Sequence, residues 1–300
     1  MYKRQVPNGR VFFKPTQDTR FFNADQSAQQ TTNTDLIDRN VVSSADAALS
    51  SNLRIAEIGT QVTTIGADAF TDVTDTLTKL TIRPSGSLAT IVRAAFSACS
   101  SINSINLTNA TALKNIDNLA FASCTSATSE LLIPSNVTNI GQSAFQTCLS
   151  LQSFNLSSAN SLAIIGNSSF RNCIEVTGEL RIPSNVSDIG GCAFCSCIRL
   201  QSLNLATANA LTSIGPDAFL RCPDLTGTLT IPTSVANIGT KAFLECTSLS
   251  AISFVSSTTP VTFASDADSP FVGLGFTNAS HGTLQTLSTI DRSTGSVVFT

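Results

Sequence analysis

The 300-residue chain has no tryptophan, one tyrosine, one methionine and one histidine. The single histidine, His281, leaves no Ser–His–Asp or Cys–His set to assemble, so no enzymatic activity is expected. Charge is scarce too: 12% of residues, 17 basic against 20 acidic, for a net charge of −3. A nucleic-acid surface needs clustered lysine and arginine, and none is present, so nucleic acid is not an expected partner. No apolar run reaches 18 residues, so no transmembrane segment is expected. The glycines are spread along the chain rather than clustered, which excludes a phosphate-cradling loop, and no cofactor is expected. No charged n-region followed by an apolar h-region opens the chain. Met1–Gln5 resembles a cloning scar and is set aside, and the chain is read as a fragment.

What the chain has instead is phenylalanine, 18 in all, and a period. The stretch Ile189-Gly-Gly-Cys-Ala-Phe-Cys-Ser-Cys197 carries the skeleton I-G-x-x-A-F-x-x-C. Its phenylalanine recurs at Phe70, Phe96, Phe121, Phe145, Phe170, Phe194, Phe219 and Phe243, at steps of 24 to 26 residues. A ninth, weaker copy holds Phe271. A fixed period in this range is the mark of a solenoid, in which each coil buries its apolar face only against its neighbours.

From the third coil onward two forms alternate. One reads L-x-I-P-x-x-V-x-x-I-G-x-x-A-F-x-x-C, as in Leu131 to Cys148, Leu180 to Cys197 and Leu229 to Cys246. The other reads L-x-x-x-N-L-x-x-A-x-x-L-x-x-I-G-x-x-x-F-x-x-C, as in Leu151 to Cys173 and Leu200 to Cys222. Leu203-Asn-Leu205 and Leu229-Thr-Ile231 alternate apolar and polar, which predicts short half-buried strands. Pro134, Pro183 and Pro232 should end those strands, because proline cannot donate to a ladder. Gly141, Gly166, Gly190, Gly215 and Gly239 are expected to turn the chain at positive φ. The A-F-x-x-C segment is expected to form one short helical turn, with Ala, Phe and Cys pointing inward.

These residues carry a resemblance. L-x-I-P-S-x-V-x-x-I-G-x-x-A-F-x-x-C is similar to the repeat of the BspA-like leucine-rich repeat family, over about Leu53 to Leu274. Strands such as Leu151-Gln-Ser-Phe-Asn-Leu156 also resemble the general L-x-x-L-x-L pattern. The resemblance implies an α/β fold: a right-handed leucine-rich repeat solenoid of about nine 24/25-residue coils with a parallel concave sheet. It also implies a non-enzymatic cell-surface or secreted protein that binds a host or adhesive partner. The domain reading is residues 1–52 as leader and cap, 53–276 as solenoid, and 277–300 as a second cap or the start of a further segment. Within the leader, Gln26 to Thr34 is expected to be mobile and Leu36 to Leu49 to pack on the first coil.

Seven of the nine cysteines stand three residues after a ladder phenylalanine: Cys99, Cys124, Cys148, Cys173, Cys197, Cys222 and Cys246. Val73 and Leu274 occupy that position in the end coils. Neither can ligate a metal or cross-link, so the position is read as an apolar slot filled by a free thiol. Cys192 and Cys195 are additional and, with Cys197, spell C-x-x-C-x-C. Metal binding and a local disulfide are alternatives there, but exposed free thiols are the expectation, and no metal site is expected. Asp266-Ala-Asp268 is read as a polar turn rather than a Ca²⁺ loop.

The outward strand positions remain. One row contains Asn106, Asn155, Arg181, Asn204 and Thr230, and Glu179 lies in the adjoining row. These six are the candidate binding residues, on a face suited to a protein or glycan partner. The bland alternative is a solvated sheet face. Without tryptophan or tyrosine to stack on sugars, protein-directed contact fits better. A monomer is expected, either as a binding module or as a structural spacer without a ligand.

Overall fold

The computed structural model describes residues 20–22, 41–42, 53–278, 281–284, 287, 289–292 and 296–300. The expectations for Met1–Gln5, for Gln26 to Thr34 and for most of Leu36 to Leu49 lie outside them. About nine turns of chain stack into a solenoid built from two columns of short strands.

The second column is the continuous one. Its two-residue strands end in the isoleucine before the glycine position, as in Asn139–Ile140, Ile164–Ile165 and Asp188–Ile189. Eleven of them form one sheet, from Val41–Val42 to Thr289–Ile290. Ten run parallel, and the last turns back antiparallel on Val261–Thr262. Inward isoleucines from Ile65 to Ile238 stack along this sheet and are buried.

The first column, expected to carry one continuous sheet, is instead broken. Glu130–Leu132 pairs only with Ser153–Asn155, and Glu179–Arg181 only with Ser202–Asn204. Gly227–Ile231 pairs with Leu249–Phe254, which the antiparallel strand Val297–Phe299 then covers. The breaks fall at longer loops. Leu131, Leu180 and Leu229, the next inward strand residues, stand seven positions after Cys124, Cys173 and Cys222. Phe154, Leu203 and Ile252 stand only six positions after Cys148, Cys197 and Cys246. Ile55–Ile58 and Lys79–Ile82 stay paired across an equally long step from Val73 to Leu80, so length alone does not break the ladder; at the three later junctions the longer step coincides with the break. At two of the three it leaves a glycine at positive φ, Gly178 and Gly227.

The A-F-x-x-C segment is a chain of turns, not a helical turn. Thr71–Val73 and Asp266–Asp268 are helical, both as 3₁₀ turns, and no A-F-x-x-C segment from Ala95 to Cys246 contains one. The hydrogen bonds give the reason. Ala193, Cys195 and Cys197 donate backward to Gly190, Cys192 and Phe194 of their own coil. Cys192, Phe194 and Ser196 donate forward to the carbonyls of Pro216, Ala218 and Leu220 in the next coil. Alternate amides thus leave the coil, which an α-helix cannot allow because every N–H is spent four residues back. The alternation is set by left-handed residues two places before and after the phenylalanine, here Cys192 and Ser196.

The glycines before this segment play another part than expected. Gly141, Gly166, Gly190, Gly215 and Gly239 do not have positive φ. They are small because the neighbouring coil lies directly against them. A Cβ on Gly141 would stand 2.5 Å from the Asn118 nitrogen, and one on Gly190 2.6 Å from the Asn167 nitrogen.

Nine phenylalanine rings, from Phe70 to Phe271, stack through the core with centroids 4.5 to 5.7 Å apart. All are buried. The seven ladder cysteines are buried free thiols, as the sequence indicates. Each also aims its sulfur at the carbonyl of the phenylalanine one coil back, for instance Cys173 Sγ to Phe145 O at 3.4 Å and Cys197 Sγ to Phe170 O at 3.4 Å. Burial pushes the thiols of Cys99, Cys148 and Cys197 up to about 12, and those of Cys124 and Cys173 well above the ordinary range. Cys222 is raised as well, first by its hydrogen bond with Cys246 and then by burial.

Cys192 and Cys195 are not exposed free thiols. They are joined as a disulfide across one turn, with Cα atoms 4.7 Å apart. The backbone brings them together. Cys195 N–H donates to Cys192 O, closing the same i to i+3 turn found at this place in neighbouring coils.

Candidate binding face

In strands, outward residues in register stand side by side at about 4.8 Å. Along the first column Leu132 lies beside Asn155, Arg181 beside Asn204, and Thr230 beside Ser253. Glu130 lies beside Ser153, and Glu179 beside Ser202. The two rows read from the sequence are therefore adjacent rows of one face, interrupted by the breaks.

The break between Ser153–Asn155 and Glu179–Arg181 opens a depression of about 350 Å³. Glu130, Ser153, Asn155, Thr177, Glu179 and Arg181 are among its polar walls. Phe154, only 5% exposed, closes its floor and packs tilted against Phe170 and Phe194. Gly178 sits at the rim at positive φ, with nothing within 4 Å of where a Cβ would be. Of the six candidates, Asn155, Glu179 and Arg181 line this depression. Asn204 joins them through Glu179, to which its Nδ2 donates at 2.8 Å. Asn106 and Thr230 are exposed elsewhere on the face and do not take part.

Glu179 is the electrostatic centre. The Asn204 amide, and then the Arg181 guanidinium at 3.3 Å, hold its carboxyl below the usual range. Both partners of the ion pair are about half exposed, so the pair orients side chains more than it stabilises the fold.

The asparagines have local work as well. Asn106 Oδ1 accepts from the N–H and hydroxyl of Thr108, and Asn155 Oδ1 from the N–H and hydroxyl of Ser157. Asn204 Oδ1 accepts from Ala206 N–H at 3.0 Å. Each asparagine closes an Asx turn where the strand ends, which by itself accounts for its return in alternate coils. Thr177 and Gly178 escaped the sequence reading of the face. Their signal was the Thr-Gly pair, repeated at Thr226-Gly227, at the end of each longer step. Among the described residues, no group of three His, Cys, Asp or Glu could hold a metal ion. No described helix is long and apolar enough to cross a membrane.

A stack of about nine near-identical coils, closed on a phenylalanine ladder, defines a leucine-rich repeat solenoid. Six copies of the BspA type leucine rich repeat region match residues 46–177 and 163–265, and the chain belongs to that family. A leucine-rich repeat protein from T. pallidum is similar at 27% identity and a TM-score of 0.50, covering 59% of this chain and 79% of that one. One from Bacteroides ovatus is 22% identical with a TM-score of 0.46, covering 83% of this chain and 82% of its own. A leucine rich cell surface protein from Faecalibacterium prausnitzii is 23% identical with a TM-score of 0.35, covering 67% and 79%. Comparison with curated proteins finds no match.

Proposed function

We propose that the solenoid is a non-enzymatic binding module, acting as a monomer on a surface or secreted protein, and that it recognises a protein partner. The observation that carries this reading is the depression at the Asn155–Glu179 break. It gathers three of the six candidate residues, holds a fourth by a hydrogen bond, and combines carboxylate, guanidinium, amide and hydroxyl groups on one open wall. Family membership supports a partner-binding role, and the Cys192–Cys195 disulfide fits an oxidising compartment. Antiparallel closing strands at the last coil occupy the edges of both columns there, which favours a monomer. The lack of aromatic side chains on the rows makes protein a better fit than glycan.

The experiment is a screen of the immobilised chain against arrayed proteins and arrayed glycans, repeated with Glu179→Lys/Arg181→Glu, which keeps net charge. A protein binder weakened at least tenfold by the double variant is the expected result. Binders unaffected by it would move the site elsewhere. A second reading, a spacer with no ligand, is favoured by the Asx turns, which explain the asparagine row without a partner. No binder on either array would select it.

A further inference from the structure

The molecule holds nine sulfurs in two unlike settings. Seven thiols face the core, each on the carbonyl of the preceding coil's phenylalanine, and none is exposed. The other two form a disulfide across a surface turn in a central coil. Its two ends differ. Cys195 is 4% exposed and follows the ladder ring Phe194 directly, whereas Cys192 is partly exposed and starts the turn in a left-handed conformation. In the flanking coils the equivalent pairs are Ser168 with Arg171 and Asp217 with Leu220, so the backbone turn does not depend on the cross-link.

We infer that Cys192 and Cys195 form a thiol–disulfide exchange site, in which Cys192 accepts a small thiol and Cys195 is the buried resolving sulfur. Attack requires an approach in line with the S–S bond, and only the Cys192 end of this one offers solvent. The thiolate of a low-molecular-weight thiol attacks Cys192 Sγ and forms a new S–S bond. The Sγ–Sγ bond breaks, its electron pair leaves on Cys195 Sγ, and that thiolate takes a proton from water. A second thiolate attacks the outer sulfur of the mixed disulfide, whose bond to Cys192 Sγ breaks; the oxidised small-molecule disulfide departs and the Cys192 thiolate takes a proton from water, leaving both cysteines reduced. In reverse, the Cys192 thiolate attacks an oxidised small-molecule disulfide, whose S–S bond breaks to release one small thiolate and leave the other half on Cys192. Cys195 then displaces the small thiol and restores the cross-link. The surrounding coil survives either state, because the turn is closed by Cys195 N–H to Cys192 O and tied to the next coil by Cys192 N–H to Pro216 O. The seven core thiols take no part, sealed as they are against a thiolate.

Glutathione, oxidised and reduced, is the probe, and intact-mass and peptide mass spectrometry are the readouts. The chain as isolated should lack two hydrogens relative to the fully reduced mass and should label at no cysteine. After mild reduction of the folded chain, iodoacetamide should label Cys192 at least tenfold faster than Cys195. Cys195→Ser exposed to oxidised glutathione should keep one glutathione, on Cys192, and Cys192→Ser should keep none. Labelling of any of the seven core thiols reports unfolding of a variant, and the alkylation rates of the wild-type chain then decide. Cys192 and Cys195 both free in the isolated chain, equal rates at the two sulfurs, or glutathione trapped on Cys195 would each overturn the assignment.

Discussion

Alkali should dismantle this protein more steeply than its sparse charge suggests. Six of the seven ladder thiols are raised by their surroundings, Cys99, Cys148 and Cys197 to about 12 from an ordinary value near 9. A thiol raised in the fold keeps its proton there and loses it in the open chain. The stability this gives is complete below about pH 9 and falls as pH climbs toward 12. Each thiol contributes a slope of about 1.4 kcal/mol per pH unit within that window. Six acting together give about 8 kcal/mol per unit. A domain of ordinary stability, about 5–15 kcal/mol, should therefore open before pH 11. Urea midpoints in deoxygenated buffer from pH 8 to 11 measure the slope. Cys173→Val supplies the control, because Val73 already fills the same slot in the first coil. That variant should reduce the slope by about one sixth. A midpoint that stays flat from pH 9.5 to 10.5 would refute the claim that these sulfurs are sealed in the core.

Three further outcomes follow from packing. Phe170→Ala removes a ring stacked at 5.3 Å on both Phe145 and Phe194 and should cost about 3–5 kcal/mol, read by thermal or urea unfolding. Ser169→Ala should stabilise by about 1 kcal/mol, since the Ser169 hydroxyl is fully buried without a partner and the flanking coils carry alanine there; a loss of stability would mean that the hydroxyl is satisfied. Arg292→Met should cost about 3 kcal/mol and raise hydrogen exchange in the last strands. The Arg292 guanidinium is 0% exposed and donates to the carbonyls of Thr259, Pro232, Thr233 and Val235.

Spacing made most of the architecture legible. The ladder residues repeat one position per coil, so a single aligned column told inside from outside. That is why the stacked phenylalanines, the buried thiols and the register of the outward rows agree with the sequence reading. The discrepancies arose where local pattern and inter-coil bonding disagree. Ala, Phe and Cys at one, two and five suit a helical face, but the next coil claims every second amide and unwinds the turn. The conserved-looking spacing of Gly141, Gly166 and Gly190 suggested dihedral freedom, yet the constraint is the neighbouring backbone 2.5 to 2.7 Å from an absent Cβ. Cys192 and Cys195 looked unpaired because three residues of spacing is ambiguous until the turn is known. The depression was hidden for a simpler reason: it opens where neighbouring strands stop pairing, and hydrophobic periodicity does not register which neighbours stay paired.

The closing strands have a consequence for how such an array can change in length. Thr289–Ile290 and Val297–Phe299 run against the direction of every coil beneath them. A further coil of the same kind would meet them head-on rather than continue the parallel stack. At this end, lengthening is therefore accommodated inside the array, between existing coils. A unit inserted there has to present the same alternate amides to both neighbours, and only a whole number of coils does so. Ile133-Pro-Ser-Asn-Val137 and Ile182-Pro-Ser-Asn-Val186 are identical and lie two coils apart, the imprint expected of internal duplication in pairs. Each such event would copy a break in the first column along with its coils. The number of open sites on the face would then rise with the length of the protein.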